Sequence, residues 1–231
     1  MAREAVITTH KNHRGESVRV MGWRAAAPTS TVFLIHHGLG EHIGRYESLV
    51  QNLGDMPAHI YGYDAAGHGE SGGKKGDAAG LDGLASDLGR MIGVILEASG
   101  ADRVILFGHS MGAAVVATYL VSGPPHPAVV AVVLSAPPVE IHRTTIINIK
   151  VGIGRVLAKL APRVTLSNEI DHDNISSVAA EVARYADDPL VHDRISLRLA
   201  TSLIDEASTL PERVGQVKLP LFLYQGAADG V

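Results

Sequence analysis

The sequence predicts an α/β fold: a mostly parallel sheet with helices on both faces and a helical insertion late in the chain. Three observations carry this. Continuous apolar runs recur along the chain, the mark of strands covered on both faces. Segments with helical spacing separate them, and strand–helix alternation in that order gives parallel pairing. The alternation then stops over 138–211 and resumes near the end.

Val18 to Trp23 alternates after a turn-like stretch from Lys11 to Gly15, so it reads as a strand near a sheet edge. Thr31 to His36 is a continuous apolar run, and Ala58 to Tyr63, Arg103 to Phe107, Val129 to Leu134 and Leu219 to Tyr224 look the same. Helical spacing marks Tyr46 to Leu53, Leu81 to Glu97 and Met111 to Leu120 between them. After Pro137-Pro138 the pattern turns helical with polar interruptions and no clear strand. Ile146 to Leu160 is apolar on most sides there, and Ile195 to Ile204 is amphipathic. The expected organisation is a core of 1–137 and 212–231 with a helical cap inserted at 138–211. No repeat or linker marks a second independent domain.

Composition bounds the function. The chain has 231 residues, of which 46% are hydrophobic and 19% charged, enough to bury one large core. A formal net charge of −4 argues against a nucleic-acid surface, which needs clustered Lys and Arg. With no cysteine, disulfides and thiolate metal sites are excluded. The N-terminus, running from Met1 to Lys11, has no apolar signal core, and no apolar run reaches the length of a membrane span. The expectation is a soluble, cytoplasmic protein.

Gly108-His109-Ser110-Met111-Gly112 directly follows the apolar strand Val104 to Phe107 and precedes the helical segment Ala113 to Leu120. Strand, turn and helix around G-x-S-x-G are the context of a nucleophile elbow, with Ser110 as nucleophile and the Met111 amide as an oxyanion donor. The turn is so tight that the residues two before and two after the serine must be small. His36-His37-Gly38-Leu39-Gly40 ends an earlier strand, where the second oxyanion donor belongs, and the Leu39 amide is the candidate. Such a donor is typically worth about 3 kcal/mol of transition-state stabilisation. His37, Gly38 and His109 are expected at the substrate. Asp229 follows the last strand, as the order Ser…Asp…His requires of the triad acid, which would hold the catalytic imidazole in one tautomer.

His37-Gly38-Leu39-Gly40-Glu41-His42 with Arg45-Tyr46 resembles the oxyanion-loop signature of monoacylglycerol lipases and their lysophospholipase relatives. Asp64 with Gly67-His68-Gly69-Glu70-Ser71-Gly72 is similar to the same family's D-x-x-G-H-G-x-S loop. Ser135-Ala136-Pro137, Leu219-Pro220 and Gly226-Ala227-Ala228-Asp229 match it too, so the resemblance runs from about residue 17 to the end. Ala113 departs from it, standing where the family usually has a further glycine. The resemblance implies the α/β-hydrolase fold and cofactor-free hydrolysis of a small lipid ester through an acyl-enzyme on Ser110. It also implies a cap that shapes a pocket for one acyl chain, from the stretch Ile146, Ile147, Ile149, Val151, Ile153, Val156, Leu157 and Leu160, with transient membrane-surface contact through that cap. The family's catalytic histidine lies further along than Val231. The chain is therefore expected to be a shortened form of a longer enzyme, without the final strand and helix and poorly active and poorly stable as it stands.

Other readings keep the fold and change the role: another carboxylesterase, a lysophospholipase, an acyltransferase, or a ligand-binding pseudo-hydrolase. A metal site is not expected, because neither Asp171-His172-Asp173 nor His36-His37 has a ligand spacing such as H-E-x-x-H. Gly72-Gly73-Lys74-Lys75-Gly76 lacks the phosphate-loop pattern, and Gly152-Ile153-Gly154 lacks the third glycine of a dinucleotide site.

Overall fold

The computed structural model describes residues 3–138, 145–168, 170 and 174–227. Its seven-stranded sheet is built from β1 (Ala5–Lys11), β2 (Ser17–Trp23), β3 (Thr31–His36), β4 (His59–Tyr63), β5 (Arg103–His109), β6 (Val129–Ser135) and β9 (Leu221–Tyr224). The spatial order is β1-β2-β4-β3-β5-β6-β9. β1 and β2, and β2 and β4, pair antiparallel; every later neighbour is parallel, as the strand–helix alternation requires.

The pleat of the sheet divides the core in two. On β3, Val32 and Leu34 enter one apolar cluster with Val104 and Leu106 of β5, while Phe33 and Ile35 enter the other with Phe107. The first face is covered by α2 (Gly80–Ser99) and α3 (Met111–Val121). α2 docks through Leu81, Leu84, Leu88, Met91, Ile92 and Ile95, an i, i+3, i+4, i+7 stripe, and ends on Gly100 at φ 73°. α3 is buried on nearly every side, because it lies between the sheet, α2 and α6 (Leu197–Val214). On the second face a 3-10 turn, Ile43–Tyr46, leads into α1 (Glu47–Asn52), and Ile43, Tyr46 and Val50 fill that cluster.

Between β6 and β9 lie α4 (Thr145–Leu160), α5 (Ala179–Ala186) and α6, and also two strands that the helical pattern did not predict. β7 (Thr165–Ser167) and β8 (Arg194–Ser196) form a three-residue antiparallel pair, too short to leave a periodic signature. The expected boundary at 211/212 falls inside α6, which continues through Pro211 to Val214. Leu199 on α6 belongs to the main core cluster, and α6 packs on α2 and α3 as well as on α4. The stretch read as apolar on most sides is partly wet: Ile153, Val156, Leu157 and Leu160 of α4 are exposed. Along β9 all four residues are 38–62% exposed. No helix among the described residues is long and apolar enough to cross a membrane.

Candidate active site

β5 delivers Ser110 to the end of the sheet, and α3 starts at the next residue. The serine sits at φ 51°, ψ −119°, backbone that L-residues rarely occupy and that the two adjoining elements impose. Two glycines make the turn possible. A Cβ on Gly108 would lie 2.4 Å from the Gly112 carbonyl oxygen, and one on Gly112 would lie 2.2 Å from that of His36. The neighbouring strand braces the turn: the Ser110 N–H donates to Ser135 O at 2.9 Å, and His109 Nδ1 is 3.0 Å from Ser135 Oγ. Ala136, next on that edge, is also held at positive φ (45°), its N–H donating to Tyr224 O on β9.

The loop leaving β3 comes up beside this turn. A Cβ on Gly38 would lie 3.4 Å from both Ser110 Cβ and His109 Cδ2, so the loop passes directly by Ser110 at Gly38. The Gly38 N–H is already taken, donating to Glu41 Oε1 at 2.6 Å, and the Tyr46 hydroxyl donates to the same oxygen at 2.6 Å. Burial alone would push the Glu41 carboxyl up, yet the His109 and His37 rings, the Tyr46 hydroxyl and the Gly38 amide hold it below the usual carboxylate range. Among the described residues neither the Leu39 nor the Met111 amide donates to an acceptor, and Ser110 Oγ has no hydrogen-bond partner. The Met111 amide next to Ser110 and the Leu39 amide in the loop beside it are thus unengaged, as the donors of an oxyanion hole must be before substrate arrives.

The loop is clamped from outside. His192 N–H donates to Gly40 O at 2.9 Å, and Gly40, at φ 76°, lies where a Cβ would meet His192 O at 2.3 Å. Asp188 accepts from His42 Nε2 at 2.9 Å and lies 3.9 Å from Arg45, whose guanidinium stacks on the Tyr185 ring at 4.6 Å. Beneath, Asp64 accepts from the Ile43 and Glu70 amides, at 2.8 and 2.9 Å, tying the loop after β4 to the loop after β3.

His37, expected at the substrate, has its ring engaged inside the protein. Its side chain is completely buried, with Nδ1 2.7 Å from Gly38 O and Nε2 accepting from the Ala65 amide at 2.9 Å. His109 and Gly38 do lie against Ser110. None of the described imidazoles bonds to Ser110: His42 is engaged by Asp188 and Gly44, and His68 by Ala66 O. Asp229, Asp171-His172-Asp173 and the C-terminal turn of the expected site lie outside the described residues, as do the side chains of Ile146, Ile147, Ile149 and Val151. Among the described residues no group of three or more His, Cys, Asp or Glu could hold a metal ion. A groove of about 760 Å³ runs between α1 and α5, lined by residues that include His42, Arg45, Gln51, Arg184 and Asp188, and does not include Ser110.

Ala65, Ser135, Asp188 and His192 serve the site without any assignment from spacing. Ser135 stands within a recognised motif, but its partner His109 is 26 residues away and Asp188 is 146 from His42. Only tertiary structure brings such pairs together.

Comparison with known proteins places this arrangement. Residues 27–231 match the hydrolase family described as Hydrolase_4, serine aminopeptidase, S33. A monoacylglycerol lipase of Mycolicibacterium smegmatis is 32% identical over 208 residues, covering 90% of this chain and 73% of that protein. A monoglyceride lipase of Rattus norvegicus is 26% identical over 219 residues, covering 94% and 71%. The crystal structure of the Paleococcus ferrophilus monoacylglycerol lipase superposes with a TM-score of 0.73 at 32% identity, covering 96% of this chain and 77% of that one. A soluble variant of the Saccharomyces cerevisiae monoglyceride lipase gives 0.81 at 22% identity over 99% and 78%, a likeness of fold.

Proposed function

The chain belongs to the Hydrolase_4 (serine aminopeptidase, S33) family, and from that premise we propose that it is a serine hydrolase of monoacylglycerols or similar small carboxylic esters. The observation that carries the reading is Ser110, held at φ 51° between a strand and a helix, with the loop at Gly38 packed against it and the Leu39 and Met111 amides unengaged. Ser110 Oγ attacks the acyl carbonyl, the two amides receive the oxyanion, and the alcohol leaves. Water then attacks the acyl-enzyme and frees the fatty acid. Asp229 is the acid that orients the imidazole base, and the base lies outside the described residues.

Substrate class follows the relatives. Monoacylglycerol lipases at 32% identity over nine-tenths of the chain favour an ester over the peptide bond in the family's description. In this reading residues 138–211 form the cap, whose exposed Ile153, Val156, Leu157 and Leu160 rest on the lipid surface from which substrate is drawn. A fluorophosphonate probe is expected to label the wild-type protein at Ser110 and to leave Ser110→Ala unlabelled. Loss of a triad nucleophile costs about a millionfold in turnover. Monoacylglycerol hydrolysis surviving in Ser110→Ala, or wild-type protein inert to the probe, would overturn the assignment. Turnover is expected to favour monoacylglycerols over triacylglycerols and aminoacyl anilides.

A further inference from the structure

His37 is buried, and its two ring nitrogens grip two loops at once. The Ala65 amide donates to Nε2 at 2.9 Å, which leaves that nitrogen without a proton. The neutral ring must then carry its proton on Nδ1, which donates to the Gly38 carbonyl oxygen at 2.7 Å. That carbonyl belongs to the Gly38–Leu39 peptide, the peptide whose N–H is the oxyanion donor in the reading above. In a planar trans peptide the C=O and N–H point in opposite directions, so whatever fixes one aims the other. Glu41 meanwhile holds the N–H of the preceding peptide at 2.6 Å, so the backbone is pinned on both sides of Gly38.

We propose that His37 is a positioning residue: its Ala65-locked tautomer holds the Gly38 carbonyl and thereby points the Leu39 amide at the oxyanion formed on Ser110. Burial keeps the ring neutral, which preserves the bare Nε2 that the Ala65 amide requires. Glycine at 38 is part of the device, because a side chain there would press on Glu41 Oε1 at 2.9 Å and on the elbow.

The inference rests on the hydrolase reading, and two substitutions separate the two ring contacts. His37→Asn keeps a donor near the Nδ1 position and loses the acceptor for Ala65. His37→Gln places an acceptor near the Nε2 position and has no donor at the δ position. With folding checked by circular dichroism and melting temperature, His37→Gln is expected to lower kcat at least about tenfold with KM little changed, a fraction of the 10²–10³ that losing an oxyanion donor costs. His37→Asn is expected to retain at least about fivefold more kcat than His37→Gln, following the δ-position donor. A kcat for His37→Gln equal to wild type, or equal losses in both variants, overturns the proposal. If neither variant folds, ¹⁵N resonances of the wild-type His37 ring decide: a protonated Nδ1 and bare Nε2 throughout pH 6–8 support it, and a protonated Nε2 overturns it. Turnover surviving Ser110→Ala would instead sink the hydrolase reading, so the two failures are distinguishable.

Discussion

Gly112 has no room for a side chain, and the atoms that would meet one are backbone. His36 O at 2.2 Å and His37 O at 2.6 Å from such a Cβ belong to β3 and to the loop that carries the proposed oxyanion donor. Gly112→Ala must therefore move the nucleophile helix away from β3 or bend the loop. It is expected to cost about 3 kcal/mol, the upper end for overpacking, read as a lower urea midpoint, together with a fall in kcat. A stable and fully active alanine variant would show that the two elements are not held this closely. This steric demand is why the elbow was legible in the sequence: five adjacent residues state it. The role of His37 was not legible, because a histidine beside a glycine looks the same whether it faces substrate or, as here, the Ala65 amide 28 residues away.

Strands that are continuous apolar runs announced themselves, the exposed β9 among them, whereas β1 and the pair β7–β8, which are not, did not. β3, β4, β5 and β6 are near-continuous apolar runs because helices cover both sides of the sheet. β1 reads as AVITTHK, with no residue fully buried, so no alternation marks it; its position comes only from pairing with β2. The pair β7–β8 has the same difficulty and is held by neighbours. The Ser196 N–H donates to Gly76 O at 2.8 Å, and the buried Asp77 carboxylate takes Arg163 at 2.9 Å and Arg198 at 2.7 Å. Asp77→Ala removes both ion pairs and is expected to lower the melting temperature and speed amide exchange over 194–198. Unchanged exchange there would show that the carboxylate does not hold this segment to the core. On α4 the expectation is the reverse. Val156 and Leu160 are 60% and 79% exposed, so Val156→Ser with Leu160→Ser is expected to shift stability by no more than about 0.5 kcal/mol while weakening co-sedimentation with lipid vesicles. Undiminished vesicle binding would remove the lipid-surface role proposed for the cap.

Across the whole molecule, four buried imidazoles form a continuous chain from the central sheet to the segment beyond α5. His36 lies against His37, with ring centroids 5.7 Å apart; His37 lies 5.3 Å from His68, and His68 4.9 Å from His192. Burial lowers all four: His36 to about 3, His68 well below its ordinary value, and His37 and His192 below theirs. In the unfolded chain the same groups protonate near pH 6.5. Above that pH both states carry them neutral and they leave stability independent of pH. Below it the unfolded state binds more protons, so stability falls, by up to about 1.4 kcal/mol per pH unit for each histidine, until the folded-state value is reached. The carboxylates held low in the fold, Glu41, Asp77 and Asp188, lose their contribution only below about pH 4. The window from about pH 4 to 6.5 therefore belongs to the histidines that burial lowers, the four of the chain together with His59, and His36, lowered to about 3, acts across all of it. Urea unfolding is expected to give a free energy nearly flat above pH 7 and falling steeply below 6.5. His36→Phe, whatever its effect at neutral pH, is expected to reduce that slope by about one proton's worth. A wild-type curve flat from pH 7 to 4.5, or an unaltered slope in His36→Phe, would mean that these rings gain protons in the folded state as readily as in the unfolded one.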